Sequence, residues 1–327
     1  MFMATDLVLR HLRPEECPIW DTLVEASPQG SVFCRSWWLD AVGSTRILGC
    51  FRGGTLVAGI PLHERKRFGL TLCTMPRLTT VLGAVLEPPA DSFVKAASRE
   101  MEILRLLADH LSGKPFVFHK FHPTLDNWLP FYWKGFVQTS LCTNIIEDLT
   151  DLNSIWGGMS DNIRREIRKA ERRGISIFPC GVDELYTACS QMFQRRGQFP
   201  AYSKEYLARL VNASRQNGSG ECFAARDADG RTHAALFLVW DRKAAYYLAG
   251  GGDPALRTSG ATSLLTWNAL QFSAKHSASF NFSGSMVERV DQFFRAFGGR
   301  QVFYNLVVKA PTWLRLILEF SAAPLPC

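Results

Sequence analysis

Gly250-Gly-Gly-Asp-Pro-Ala-Leu-Arg257-Thr-Ser259-Gly260-Ala261-Thr262-Ser-Leu-Leu265 follows a strand-like run, Lys243 to Ala249, and opens a helix-like one, Thr262 to His276. A strand that ends in glycines and turns into a helix is the repeating step of an α/β fold. Glycines let a ligand approach the backbone, and the free N–H groups of a helix start point at whatever anion docks there. Arg257, Ser259, Gly260, Ala261 and Thr262 are therefore candidate binders of a phosphorylated cofactor. A purely structural strand-to-helix turn favours Gly and Ser as well.

Downstream, Ser279 to Phe282 reads as a strand. Alternation sends Phe280 and Phe282 to one face and Asn281 and Ser283 to the other. The Ser283-Gly284-Ser285 turn then exposes polar groups at the end of a strand, where open α/β sheets place their ligands. Asn281, Ser283 and Ser285 are thus candidate substrate binders, and Phe293, Phe294 and Phe297 are core. Acyl transfer from a thioester to an amine needs positioning, an oxyanion donor and a route for the amine proton. Tyr247 and Tyr304, on predicted strands, are candidate proton donors to the thiolate, although core packing also explains strand tyrosines. Glu288 and Asp291 are candidate bases.

Upstream, Ser160 or Asp161 begins a basic helix that stops at Gly174. Ile163, Ile167 and Ala170 form its apolar stripe, and six basic residues face three acids on the remainder. Arg164 and Arg168 share a face, so together with Lys169 they are candidates to hold a phosphate or carboxylate. A solvated helix surface accounts for most of the other charges. Asp183 and Ser203 open two further amphipathic helices, followed by strands at Glu221 to Arg226 and His233 to Trp240.

The first half has the same rhythm. Arg46 to Leu62 reads as a hairpin about Gly53-Gly54. Asp91 or Ser92 caps a helix with Phe93, Ala97, Leu104, Leu107 and Leu111 inward, and Phe116-Val-Phe118 is a strand. Gly54 to Leu62 lines up with Gly230 to Leu238, Phe116-x-Phe118 with Phe280-x-Phe282, and Phe131 to Phe136 with Phe293 to Gly298. Three echoes in one order favour duplication. Where the second half has Arg257 to Thr262, the first has Pro88-Pro89, and proline lacks the N–H that a phosphate cradle needs.

At 327 residues, 47% of them hydrophobic, the chain has material for two cores. No apolar run reaches the length of a membrane-spanning helix, and Met1 to Arg10 lacks the apolar stretch of a signal peptide. A cytoplasmic protein is expected, with its nine cysteines reduced and without metal-ligand spacing. Seven histidines form no HxxxH or HxxE pattern, so no catalytic metal is expected. A net charge of +7 suits polyanionic ligands such as phosphorylated cofactors, tRNA or anionic lipid.

Arg257-x-x-Gly260-x-Thr262 resembles the pyrophosphate loop of GNAT acetyltransferases, Arg/Gln-x-x-Gly-x-Gly/Ala, and departs from it at Thr262. With Ser31-Val-Phe-Cys-Arg-Ser-Trp37-Trp38, Leu56-Val-Ala-Gly-Ile-Pro61-Leu62, Asn162 to Ile175 and Phe280-Asn-Phe-Ser-Gly284-Ser285, nearly the whole chain resembles the Fem-like branch of that superfamily. Its members include cellulose-biosynthesis-type (BcsL-like) acetyltransferases.

The resemblance implies an α/β (α+β) chain of two tandem GNAT-like domains, each a mixed twisted sheet flanked by helices. Residues 1–150 form a degenerate domain on the acceptor side, residues 151–310 hold the donor, and the tail 311–327 packs back on the first domain. The implied activity is N-acyl transfer from acyl-CoA (acetyl-CoA) to an amine of a sugar or a cell-envelope or exopolysaccharide precursor. The alternatives are a Fem-type transferase using aminoacyl-tRNA on a peptidoglycan precursor, and an inactive scaffold in a polysaccharide-biosynthesis complex. The absence of a long charged heptad insertion tilts the choice to acyl-CoA. Peripheral contact with the inner face of the membrane is also implied.

Overall fold

Strand-forming residues flank Gly53-Gly54, and both glycines take positive φ (+55° and +84°), the geometry of a tight hairpin. The computed structural model describes residues 6–67, 69–89, 92–195, 197–284 and 286–311. In chain order it begins β1 (Leu7–His11), α1 (Cys17–Ala26), α2 (Ser36–Val42), β2 (Thr45–Arg52), β3 (Thr55–Arg67), β4 (Leu70–Thr74) and β5 (Val85–Leu86). It continues α3 (Phe93–Ser112), β6 (Phe116–Lys120), α4 (Leu129–Tyr132), β7 (Val137–Ile146), α5 (Leu152–Gly158), α6 (Asp161–Arg172), β8 (Ser176–Pro179) and α7 (Val182–Gln194). The rest is α8 (Lys204–Gln216), β9 (Gly220–Arg226), β10 (Thr232–Trp240), β11 (Ala244–Gly252), α9 (Ala261–Ser273), β12 (Ser279–Asn281), α10 (Glu288–Arg295) and β13 (Arg300–Lys309).

The elements fall into two compact units, one running to Leu141 and resuming at Phe303, the other Cys142–Val302. The resemblance implies bounds at 150 and 310, and the compact units divide at 141/142 and 302/303. β13 is the reason at the C-terminal end. Its residues 306–309 pair antiparallel with β6, from Leu306↔Lys120 to Lys309↔Val117, and bury Leu306 and Val307. Residues 312–327, the tail expected to pack back, lie outside the described residues.

In the first unit the strands run β1-β2-β3-β4-β6-β13, with β5 beside β3. Ile60, Leu62, Val117, Phe121 and Val307 pack with the inward face of α3. That face begins at Ile103 and continues through Leu104, Leu107, Ala108 and Leu111. Phe93 and Ala97, expected inward, are exposed, Phe93 by 87%, because only the C-terminal half of this 20-residue helix packs inward.

In the second unit the order is β7-β12-β11-β10-β9-β8. β10 is buried along nearly its whole length, as a central strand covered on both faces must be. Ile163, Ile167, Leu265, Leu270, Phe280, Phe282, Phe294 and Phe297 make one core, which joins α6, α9 and α10 to the sheet. α7 and α8 cover the other face through Leu185, Ala188, Leu207, Leu210 and Val211. Ser160 caps α6 as expected, its Oγ accepting from the Ile163 N–H (3.4 Å).

The two units repeat one plan. Each has an antiparallel hairpin (β2–β3, β9–β10), then a strand (β4, β11), a helix (α3, α9), a parallel partner for that strand (β6, β12) and a short helix (α4, α10). The paired Phe-x-Phe echoes fall on β6 and at the end of β12, with Phe282 one residue past that strand. Among the described residues no helix is long and apolar enough to cross a membrane.

Candidate active site

β11 and β12 run parallel for three residue pairs, Ala244↔Ser279, Ala245↔Phe280 and Tyr246↔Asn281. β12 then stops while β11 continues to Gly252, so the strands part. Along its other edge β11 carries a bulge: Phe237 pairs with Ala249 and Leu238 with Tyr247, which leaves Leu248 as the extra residue. A bulged residue keeps its backbone groups out of the ladder, available to a substrate.

Gly260 opens α9 at φ +86°, a left-handed conformation that favours glycine. A Cβ there would also overlap the Glu166 carbonyl, so α9 begins hard against α6. Ser259 is buried and its Oγ accepts from the Ala261 N–H (3.3 Å), while Ala261 lies in the core. These three build the turn. Arg257 and Thr262 are exposed, and the Thr262 and Ser263 N–H groups lie in the first turn, where a helix supplies no partner. Arg173 at the end of α6 donates to the Thr258 carbonyl (3.2 Å) and ties that helix to the turn.

The pair Arg164 and Arg168 converges on α5. Arg164 donates to the carbonyls of Trp156 (3.3 Å) and Gly157 (2.9 Å) and pairs with Asp161. Arg168 lies over the Trp156 ring (5.6 Å to its centroid), which packs on Trp267 of α9 (5.3 Å). Lys169 pairs with Glu166 (2.9 Å). Arg164 is therefore taken up in capping a helix end, and Arg168 is left exposed.

Tyr247 meets Phe294 of α10 edge to face (5.4 Å), and its hydroxyl lies over Gly250, where any Cβ would overlap it. Burial, and then the neighbouring Cys189, push the phenol well above its usual range, so it stays protonated. Tyr304 belongs to the first unit, buried on β13. Glu288 is exposed at the start of α10 and accepts from Gln292 (3.1 Å).

Asn281 is buried, its Oδ1 accepting from Thr143 Oγ1 (2.6 Å) and the Ser283 N–H (2.8 Å). Ser283 takes a left-handed φ of +60°, costly for a residue with a Cβ, and its buried Oγ has no partner among the described residues. Ser285 lies outside the described residues.

Three features escaped the sequence. Tyr202, on the α7–α8 connection, lies beside Cys189; burial raises the tyrosine and pushes the thiol up to about 11. The backbone at Ala188 and Cys189 in turn presses on Gly251 of β11. Asn144 joins Asp291 (2.9 Å) across 147 residues of chain. No local spacing signals any of the three. Among the described residues no group of three His, Cys, Asp or Glu side chains is placed to hold a metal ion.

The first unit treats the same position differently. β4 and β6 pair in parallel at Leu72↔Phe116 and Cys73↔Val117. Beyond that point Leu82 takes over: its N–H donates to the Lys120 carbonyl (2.8 Å) and its carbonyl accepts from His119 Nδ1 (2.6 Å). Val81, Leu82, Ala84 and Val85 are all buried, so the chain fills its own gap.

Residues 158–285 match the acetyltransferase (GNAT) domain. The chain thus carries an acyltransferase domain, in the unit where β11 and β12 part. The fold of the whole chain is similar to that of FemX, at 14% identity over 95% of this chain and 100% of that one, with a TM-score of 0.71. L-PGS from Bacillus licheniformis is similar at 13% identity over 95% and 96%, TM-score 0.56. A tandem GNAT protein from the clavulanic acid biosynthesis pathway is similar at 12% identity over 94% and 99%, TM-score 0.54. At these identities the likeness is one of fold. No curated protein matches in sequence.

Proposed function

We propose that the protein moves an acyl group from acyl-CoA to an amine of a sugar or of a cell-envelope or exopolysaccharide precursor. The observation that carries this reading is the parting of β11 and β12 beside the Leu248 bulge, with the first turn of α9 and exposed Arg257 at the end of the same strand.

In this reading the donor's phosphates lie on the Thr262 and Ser263 N–H groups and Arg257, and its thioester enters the gap. The Leu248 backbone N–H stabilises the carbonyl oxygen as negative charge develops there. The amine nitrogen forms its bond to the carbonyl carbon while the carbon–sulfur bond breaks. Tyr247, kept protonated by burial, gives its proton to the departing thiolate, and the amine proton returns to the phenolate. Asn281 and Ser283 stand on the acceptor side. Glu288 is the candidate to take the proton of an acceptor that arrives as ammonium, and Tyr304 stays a structural residue of β13.

The test is isothermal titration with acetyl-CoA. Binding in the micromolar range supports the reading, and no heat at millimolar concentration sinks it.

A second reading, aminoacyl-tRNA as donor, is favoured by the fold likeness to FemX and by exposed Arg165, Arg168 and Arg172 on α6. It requires salt-sensitive tRNA binding. Reversing Arg165, Arg168 and Arg172 to Glu would then weaken that binding, and unchanged tRNA affinity counts against it. The envelope precursor, the cellulose-biosynthesis-type kinship and a site of action at the inner membrane face belong to the same proposal.

A further inference from the structure

The glycines that end β11 are kept bare by three different neighbours. A Cβ on Gly251 would lie 2.7 Å from the Ala188 carbonyl carbon, and one on Gly252 would lie 2.5 Å from the His233 carbonyl oxygen. Both neighbours are backbone, so these two glycines serve close packing. At Gly250 the three nearest atoms all belong to one side chain, Tyr247. A Cβ there would overlap the hydroxyl and lie 2.7 Å from Cζ and 3.0 Å from Cε1. The backbone of Gly250 is not left-handed, so the tyrosine, rather than the backbone, calls for glycine there.

The bulge makes these two residues neighbours. Leu238 pairs with Tyr247 and Leu236 with Gly250, and paired residues share a side of the sheet. Leu236 and Leu238 both lie in the core that joins α6, α9 and α10 to the sheet. Tyr247 and Gly250 therefore follow each other on that side, although they are three apart in sequence. On a regular strand Ala249 would take that place. Phe294 meets the ring from α10 (5.4 Å) and packs in turn on Phe282 (5.0 Å), so the ring has a wall beside it and a bare Cα beneath its tip. The hydroxyl makes no hydrogen bond among the described residues and is not sealed, since Tyr247, Leu248 and Gly250 are all half-buried.

Along β11 the hydroxyl stands beyond Leu248, toward the turn that carries Arg257. In an acyl-CoA the sulfur lies between the phosphate arm and the carbonyl. A donor laid along the strand with its phosphates at the turn brings its sulfur to the hydroxyl and its carbonyl oxygen to the Leu248 N–H.

We propose that Gly250 is a positioning residue for acyl transfer: its bare Cα seats the Tyr247 hydroxyl at the thioester sulfur. The proposal rests on the acyl-transfer reading above. As the amine nitrogen bonds to the carbonyl carbon, the carbon–sulfur electron pair leaves with sulfur, and the phenol gives its proton to form S–H. The surplus proton of the amine restores the phenol. A Cβ at position 250 displaces the hydroxyl and leaves the phosphate turn and the Leu248 N–H as they are.

The test uses the full chain with acetyl-CoA and three amine probes: D-glucosamine, L-lysine and methylamine. Acetyl-CoA affinity, acceptor KM and kcat are measured for wild type, Gly250→Ala, Tyr247→Phe and the double variant. Gly250→Ala is expected to lower kcat at least about tenfold, with acetyl-CoA affinity and acceptor KM within about threefold of wild type. In the Tyr247→Phe background the same change is expected to lower kcat by no more than about threefold, because the group it displaces is gone. Where Gly250→Ala alone does not fold, Tyr247→Leu, which removes every overlapping atom, supplies the background. A Cβ accepted there supports the seat, and one refused there overturns it.

An unchanged kcat in folded Gly250→Ala overturns the proposal. So does a fall in acetyl-CoA affinity in step with kcat, the mark of a structural role, and so does an equal loss in the Tyr247→Phe background. A Tyr247→Phe variant as fast as wild type overturns it too, as does a wild type that binds acetyl-CoA but acetylates none of the three amines; both leave the donor reading standing. Failure of wild type to bind acetyl-CoA overturns both.

Discussion

Gly260 and Glu166 meet backbone to backbone: a Cβ on Gly260 would overlap the Glu166 carbonyl oxygen and lie 3.0 Å from its carbon. The start of α9, where the donor's phosphates are proposed to lie, is thereby pinned to α6. Gly260→Ala adds a left-handed strain of roughly 1–2 kcal/mol to that overlap. Urea unfolding should show a loss of at least about this size, and titration a weaker acetyl-CoA affinity. A variant as stable as wild type would contradict the packing.

Tyr247→Phe removes the proposed proton donor and keeps the ring on Phe294. The expected result is a fall in kcat of about 10²-fold with acetyl-CoA affinity unchanged, since one positioned acid contributes on that order. The pH profile gives a second check. Burial holds the phenol above its usual range, so it remains a donor at pH values below that raised pKa. An alkaline loss of rate centred below pH 9 and abolished by Tyr247→Phe would contradict the assignment.

The first unit should bind no donor, because Leu82 fills the place where its strands part. Calorimetry should therefore return one acetyl-CoA per chain. A second site, surviving the Gly260→Ala change, would show that the Leu82 segment yields.

His119 is completely buried and its pKa is pushed down to about 4, chiefly by that burial. The unfolded chain takes up the proton near pH 6.5, the native one only near 4. Stability is then unaffected above pH 6.5, falls as pH drops through the window from 6.5 to 4, and levels off below it. Within the window the slope approaches about 1.4 kcal/mol per pH unit. His119→Gln should flatten the difference between urea unfolding at pH 7.5 and pH 5. An equally steep difference in the variant would assign the acid sensitivity to other groups.

Local chemistry carried much of the fold. The Ser160 and Ser203 caps, the Ile163–Ile167–Ala170 stripe and the Gly53-Gly54 hairpin all form where their spacing predicts. Each depends on residues a few positions apart, and such contacts are written directly in sequence. Phe93 and Ala97 show the limit: helical spacing tells which residues share a stripe, and only packing tells how far the neighbouring layer extends beneath it.

By itself the sequence determined the α/β plan, its repetition, and the glycine-rich turn that puts Arg257 and Thr262 at a helix start. Tertiary structure alone decided that Arg164 caps α5, that β13 joins β6, that Leu82 closes the gap in the first unit, and that Leu248 bulges where β11 and β12 part. It also joined Asn144 to Asp291 across 147 residues. The physical reason is one of range. Periodicity and capping follow from the geometry of one or two turns, whereas pairing register and buried polar partners are chosen when distant segments compete for the same donors and the same core.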